Sequence, residues 1–536
     1  MRVAIVASPY PLEEAPAPPL GLTYVAAAFE RAGAEVQIFD YIVSRYSPAK
    51  LRSRIEAFQP QVVGTSSVTL NFPGAANILQ DAKDIDPGII TVMGGPHVSF
   101  DIEGTLNAYP KIDMVVVGEG EQTIAELMAA EFKRAAFPGI RGIAYRDRGT
   151  IRVTERREFI DDLNTLPLPA RRLLPLSRYQ ALGFPISMIT SRGCPYQCIF
   201  CQGRRMVGSR IRQRQTLSVV DEIEDILSYG IDRINIADDL FVSDRQKVKD
   251  VCEEIQRRGL TFSWSAFARV NTVDRETLEI MKATGCDGIS FGIESGNQEM
   301  LDRIKKKITL DQVRRAVGLC KDVGLLVHAS FIAGLPGESP QTLQDSKAFA
   351  ESLGRDYGVY YGYHLLAPFP GTTVREKIQE YDLEILTNDW TRYDANHAIV
   401  RTSSLEPEDI RRFVDTYDNE VEEIWQKMVR GYEEGTNAPM ENLRVEGHYR
   451  TRLVYGLLSE DLIETEGIFT GEITAGETIP NLCRRIEKRT RVAPDLVEKT
   501  MNDFIRKGYL QASPTDDGWR WDWTHNSRQA AAGNRP

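Results

Sequence analysis

No run of apolar residues reaches the roughly 18 needed to cross a bilayer. No excess of basic residues marks a nucleic-acid footprint: 65 Lys and Arg stand against 76 Asp and Glu, a formal net charge of −11. The start of the chain lacks the pattern of a signal peptide, because Pro9, Pro11, Glu13 and Glu14 interrupt any apolar stretch there. These absences predict a cytoplasmic chain with no membrane span, and they do not favour nucleic acid as a partner. There is no internal repeat, and no low-complexity tract beyond a polar tail over 524–536. No GxGxxG turn follows the first apolar run, where the chain reads Ala7-Ser8-Pro9-Tyr10-Pro11, so the fingerprint of Rossmann-type dinucleotide binding is missing. Cysteine is scarce, seven in 536 residues, which does not describe a disulfide scaffold. What remains is ordinary globular composition, 42% hydrophobic and 26% charged, at a length that predicts about three domains.

The first 150 residues alternate short apolar runs with helical patterns. Strands are expected over 3–7, 35–40, 62–68, 89–95 and 114–118, each pair separated by enough chain for a helix. Apolar strands alternating with helices imply a parallel sheet covered on both faces, the doubly wound pattern. Ligands of such sheets sit beyond the carboxyl ends of the strands. Here those ends carry Ser8-Pro9, Thr65-Ser66-Ser67, Gly94-Gly95-Pro96-His97 and Gly118-Glu119-Gly120-Glu121. Residues 139–154 read as a hairpin, and 151–184, with Pro167, Pro169 and Pro175, as a linker.

From 185 a second alternation begins, with strands expected at 185–190, 233–238, 262–267, 288–294, 326–333 and 360–369. Six strand–helix units over 185–385 predict a partial (β/α)6 barrel, whose chemistry would lie at the strand C-termini. A helical extension follows over 386–440. Residues 441–525 read as a small winged-helix-like domain: two helical segments, Gly508, a strand, and a turn at Pro514–Gly518.

Three of the seven cysteines fall within eight residues, in Thr190-Ser191-Arg192-Gly193-Cys194-Pro195-Tyr196-Gln197-Cys198-Ile199-Phe200-Cys201. Thiolates are soft ligands suited to iron–sulfur clusters and to zinc. Structural zinc takes four protein ligands, and no fourth Cys or His lies nearby. Three cysteines leave one iron of a 4Fe–4S cluster open to a small molecule; a zinc knuckle is the alternative.

This CxxxCxxC loop after a barrel strand, with an aromatic residue before its last cysteine, resembles the radical S-adenosylmethionine (SAM) enzymes. The resemblance implies that Cys194, Cys198 and Cys201 hold a 4Fe–4S cluster and that its open iron binds SAM. It implies SAM contacts from Phe200, Asp238, Asp239, Arg269, Glu294 and Gly334, each at or near a barrel strand end. Of Asp238 and Asp239, one is expected to face SAM and the other to cap the following helix, because side chains alternate along a strand. Arg269 is expected to pair with a carboxylate and Glu294 with a ribose or ammonium group; an internal salt bridge is the alternative for both. Gly334 in Phe331-Ile332-Ala333-Gly334-Leu335-Pro336-Gly337-Glu338 would lie against adenine, or serve only a tight turn. Arg212 and Arg214 hold the loop, meet an anionic cofactor edge, or are solvated.

A doubly wound domain before such a barrel resembles the cobalamin-binding branch of these enzymes, over roughly residues 1–400. The segments that carry this are Pro18-Pro19-Leu20-Gly21-Leu22-Thr23-Tyr24, Gly94-Gly95-Pro96-His97-Val98, Gly118-Glu119-Gly120-Glu121 and Gly292-Ile293-Glu294-Ser295-Gly296. The resemblance implies cobalamin contacts from Ser66, Ser67, Thr69, Gly94, Gly95, His97, Gly118, Glu119 and Gly120. The DxHxxG loop whose histidine ligates cobalt is absent, so His97 is expected on the nucleotide tail, at a helix cap, or without a ligand. The implied activity is methyl transfer to an unactivated carbon. One SAM methylates cobalt and a second yields the 5′-deoxyadenosyl radical that abstracts a substrate hydrogen. A radical-SAM cyclase or rearrangement enzyme is the alternative, and a cluster-based sensor using the winged helix is the third. An external electron donor such as flavodoxin or ferredoxin is implied. The substrate is a small molecule, or a peptide or protein recognised by the C-terminal module. Residues 388–394, with Trp390 and Tyr393, cover the substrate side of the barrel or pack in the core.

Overall fold

The computed structural model describes residues 1–10 and 17–526. Pro11, Glu13, Glu14 and most of the polar tail lie outside the described residues. The N-terminal sheet has seven strands in the order β2-β1-β3-β4-β5-β6-β7. These are β1 (Arg2–Ala7), β2 (Glu35–Asp40), β3 (Val62–Ser66), β4 (Ile90–Gly94), β5 (Met114–Val116), β6 (Ile143–Asp147) and β7 (Thr150–Val153). The first five pair in parallel, because each connection runs through a helix; β6 and β7 add antiparallel edges through tight turns. Val3 to Ala7 are all almost fully buried, as a strand covered on both faces requires. The chain order reverses between β1 and β3, which opens a crevice at their carboxyl ends. The expected domain edge at 150 falls at the first residue of β7, so the hairpin completes the first sheet and does not begin a linker.

The second sheet is β15-β14-β13-β12-β11-β8, all parallel. Its strands are β8 (Ile186–Met188), β11 (Arg233–Ile236), β12 (Ser263–Ala268), β13 (Cys286–Glu294), β14 (Leu326–Ala333) and β15 (Tyr360–Leu365). The sheet does not close on itself, which is the open barrel the six repeats predict. Between β8 and β11 lies a two-residue ribbon, β9 (Ser191–Arg192) against β10 (Arg212–Gln213). Beyond the barrel a short pair, β16 (Glu384–Ile385) and β17 (Val400–Arg401), precedes a 28-residue helix, Pro407–Glu434. The extension is therefore part ribbon and part helix.

The C-terminal module is a three-stranded antiparallel sheet, β18 (Ile468–Thr470), β20 (Gly518–Trp523) and β19 (Leu510–Thr515), against the helices Ala475–Thr490 and Pro494–Arg506. Leu482, Ile486, Val497, Met501, Phe504 and Trp521 form its core. That core continues into Tyr179, Ala181 and Leu182, on the helix Leu176–Leu182 of the expected linker. A buried hydrogen bond joins Ser177 Oγ to Thr524 Oγ1 at 2.7 Å. The segment at 176–182 is thus the seat of the C-terminal module.

Candidate cofactor site

The cysteine loop starts and ends at the β9–β10 neck. Gly193 sits at φ +111°, and a Cβ there would lie 2.2 Å from the Arg210 carbonyl, so only glycine lets the two ends pass. Cys194 N donates to the Gly208 carbonyl (3.1 Å) and Cys201 N to the Cys198 carbonyl (3.3 Å). Ile199, fully buried, anchors the loop by donating to the Ile304 carbonyl and accepting from Val374 N. The Gly203 amide donates to Cys201 Sγ at 3.3 Å. Cys194 and Cys198 are half-buried and Cys201 is exposed. Among the described residues no three Cys, His, Asp or Glu side chains converge as a closed ligand set, these thiols included. They do lie within electrostatic range of one another on one loop. Burial raises the Cys194 thiol above its ordinary pKa, and a bound metal cation would offset that penalty. Three soft donors, one of them with a backbone amide on its sulfur, fit an iron–sulfur cluster.

The residues expected to contact SAM have protein partners of their own. Asp238 is buried and accepts from Thr190 N (2.6 Å), Thr190 Oγ1 (2.5 Å) and Ser191 Oγ (2.7 Å), so it pins the turn from β8 into β9. Asp239 faces the cysteine loop, accepting weakly from the Gly193 amide at 3.4 Å. Neither aspartate caps the next helix; Asp244 does, accepting from Gln246 N and Lys247 N. Arg269 has no carboxylate partner among the described residues. Its guanidinium lies 3.5 Å over the Tyr196 ring, with Nη1 3.9 Å from Cys198 Sγ and Nη2 donating to the Lys306 carbonyl. Glu294, held at φ +76°, forms the internal salt bridge, with Lys306 Nζ at 2.7 Å. Lys306 Nζ also sits 5.9 Å from the centre of the half-buried Phe200 ring. At Gly334, φ +90°, a Cβ would lie 3.1 Å from Val400 and 3.4 Å from Ile410, so the glycine lets a neighbouring ribbon and helix pack closely. Glu338 accepts its amide and that of Leu335, a closed turn.

At the carboxyl ends of the N-terminal sheet lies a cavity of about 230 Å³. Ser66, Gly94, Gly95, Gly118, Glu119 and Gly120 line its mouth, and Ile5, Leu22, Val25, Val92 and Ile124 line its apolar depth. Gly95, at φ +105°, has no room for a side chain: a Cβ would lie 2.5 Å from the Ser67 carbonyl and 2.6 Å from Ser66 Oγ. Ser67 lines an adjoining cleft, and its buried hydroxyl has no hydrogen-bond partner among the described residues. A deep apolar slot, a glycine-lined mouth and an unsatisfied hydroxyl fit a bulky ligand with an aromatic tail and amide arms.

Thr69 and His97 do not line either cleft. His97 is fully buried in the short helix Pro96–Phe100, 3.3 Å from Thr69 Oγ1, stacked 3.9 Å from Phe72 and edge-on to Trp390. Burial, and secondarily Arg375, pushes its pKa down to about 3, so it stays a neutral core residue. Trp390 and Tyr393 pack there too, with Arg375 stacked over both rings.

Glu119 lines the cavity, yet its carboxylate is already engaged. It accepts from Arg192, from both Nη atoms of Arg212, and from Ile160 N. Burial alone would raise its pKa; the two guanidiniums outweigh that and hold it below the usual carboxylate value. Arg214 pairs instead with buried Glu222, which also holds Arg171. Arg192, Glu121, Tyr196 and Lys306 were not among the predicted site residues. Arg192 and Glu121 stand inside the two motifs read from the sequence, within two positions of residues that were.

The B12 binding domain family matches residues 14–128, and the Radical SAM superfamily matches residues 188–350. An uncharacterised methyltransferase of Pyrococcus horikoshii is 34% identical over 399 residues, covering 74% of this chain and 86% of that protein. The anaerobic magnesium-protoporphyrin IX monomethyl ester cyclase of Rubrivivax gelatinosus is 30% identical over 68% of each chain. In fold, the cobalamin-dependent SAM radical enzyme OxsB aligns with a TM-score of 0.67 over 94% of this chain and 84% of its own, at 18% identity. With a cobalamin slot before a radical-SAM barrel and relatives of this closeness, the chain belongs to the cobalamin-binding radical SAM enzymes.

Proposed function

We propose that this enzyme transfers a methyl group to an unactivated carbon of its substrate. The observation that carries this reading is the shared wall of the cavity. Arg192, Met206 and Val207 of the cysteine-loop segment line it together with the strand ends of the N-terminal sheet. A ligand in the slot therefore touches the loop that holds the cluster. When bound, cobalamin supplies a transferable methyl group, and the cluster with SAM supplies a hydrogen-abstracting radical.

The chain's own residues position these groups. Cys194, Cys198 and Cys201 are the cluster ligands. Arg269, stacked on Tyr196 beside Cys198, places positive charge next to a thiolate cluster and a SAM carboxylate. Asp239 and the Glu294–Lys306 pair flank SAM, with Phe200 against it. Gly94, Gly95, Gly118 and Gly120 let the backbone approach the corrin, and the Ser66 and Ser67 hydroxyls meet its amide arms. A flavodoxin- or ferredoxin-type protein supplies the electron.

The C-terminal module reads better as a substrate-side or packing module than as a nucleic-acid reader. Lys499, Arg506 and Lys507 on its second helix are all paired with carboxylates of the protein. The identity to a cyclase keeps a second reading open, ring formation without methyl transfer. Products separate the two. Anaerobic enzyme with cobalamin, SAM and a low-potential reductant is expected to form both S-adenosylhomocysteine and 5′-deoxyadenosine. Formation of 5′-deoxyadenosine alone overturns methyl transfer in favour of the cyclase reading.

A further inference from the structure

The cysteine loop leaves and rejoins the barrel through a neck only two residue pairs long, Ser191 with Gln213 and Arg192 with Arg212. Both arginines of that neck reach into the other domain. Arg192 forks, with Nη1 2.9 Å from Glu119 Oε1 and Nη2 2.6 Å from Glu121 Oε1. Arg212 grips Glu119 with both nitrogens, Nη1 to Oε2 at 2.9 Å and Nη2 to Oε1 at 3.0 Å. Arg212 Nη2 also donates to the Val207 carbonyl at 2.6 Å, on the returning arm of the loop. The four side chains are each no more than a tenth exposed, and their charges cancel.

A buried network of this kind holds its geometry only while every member is satisfied, so it specifies one docking of loop on sheet. Its position gives it a second property. Glu119, Glu121 and Arg192 form part of the cavity wall, beside Val207. The residues that fix the base of the cysteine loop are therefore also residues of the cavity wall.

We propose that Glu119, Glu121, Arg192 and Arg212 form a coupling clamp, through which occupancy of the cobalamin slot and assembly of the cluster loop strengthen each other. These are positioning residues. Glu119 both lines the slot and acts through the arginines of the neck. The proposal rests on the cofactor reading above. Coupling between two binding sites is reciprocal, so either ligand reports it.

The test measures hydroxocobalamin affinity of the full chain by its visible spectrum, anaerobically, before and after the cluster is rebuilt with iron and sulfide. In the native sequence the rebuilt protein is expected to bind cobalamin about tenfold more tightly, within the usual range of such couplings. In Glu119→Gln the two affinities are expected to agree within about twofold. Glu121→Gln removes one negative charge, at the clamp's singly bonded carboxylate, and is expected to fall between them, which keeps the test open should Glu119→Gln fail to fold. As a control for general destabilisation, Tyr179→Phe removes the hydroxyl that donates a buried hydrogen bond to Asp40 (2.7 Å) away from the neck, and should lower the melting temperature while keeping the tenfold ratio. Equal affinities in the native sequence, or an unchanged ratio in both glutamate variants, overturn the clamp. Absence of cobalamin binding in either state overturns the cofactor reading itself, and the clamp with it.

Discussion

The two sheets of this protein present their ligands with opposite chemistry. At the strand ends of the N-terminal sheet the lining groups are glycines and serine hydroxyls, Ser66, Ser67, Gly94, Gly95 and Gly118, over an apolar slot, with ions (Glu119, Glu121 and Arg192) only on the wall shared with the cysteine loop. At the strand ends of the barrel they are ions: Asp239, Arg269, Glu294 and Lys306, around three thiols. The first site is shaped by where backbone can approach, the second by charge. They should therefore break differently. A methyl group in the wrong place should ruin the slot, and loss of a charged or ligating atom should ruin the barrel site.

The largest effect is expected at the barrel. Cys198→Ala should reduce iron and sulfide after anaerobic reconstitution to background, while cobalamin still binds at the affinity of cluster-free protein. A full 4Fe–4S spectrum in that variant would contradict the ligand assignment. Next comes the slot. Gly95→Ala places a methyl against the Ser67 carbonyl at a positive φ, which costs about 1–3 kcal/mol of strain. Cobalamin affinity should fall at least about tenfold if that strain is relieved by moving the Ser66–Ser67 turn. Iron content should not change.

How much of this contrast was legible follows from the same difference. β1 was readable because a strand buried on both faces is a continuous apolar run, and the cysteine loop because its ligands are neighbours in sequence. The glycine clusters were readable because only they permit those turns. The ionic contacts were not. Glu119 and Arg192 are 73 positions apart and meet only when two domains dock. Lys306 sits in a run of lysines with nothing to mark the one that turns inward to Glu294. His97 follows a strand as a ligand residue would, but the helix Pro96–Phe100 rotates it into the core against Phe72. At Gly334 the sequence shows a permitted close approach and not what approaches; the structure supplies Val400.

A smaller effect tests the charge logic of the barrel away from its cofactors. Burial raises the Glu338 carboxyl from 4.5 to about 8, against the two backbone amides that favour its charged form. A carboxyl raised in the folded state stabilises fully below its unfolded pKa, and the contribution is lost as pH climbs to its folded value. Stability should therefore fall between pH 4.5 and about 8, by at most about 1.4 kcal/mol per pH unit from this group. Glu338→Gln should flatten that slope in urea titrations; an unchanged slope would contradict the assignment. The smallest effect is expected at the C-terminal module. Lys499→Ala breaks an exposed pair with Glu446 and should leave the melting temperature unchanged, along with any weak retention on DNA resin.

The central claim is that one chain holds both cofactors across one shared cavity. Iron, sulfide and cobalamin content of protein purified without oxygen tests it most directly. About four irons and about one cobalamin per chain are predicted, after reconstitution with excess of both. Iron without cobalamin under those conditions would contradict the account, because the slot at the top of the N-terminal sheet would then have another occupant.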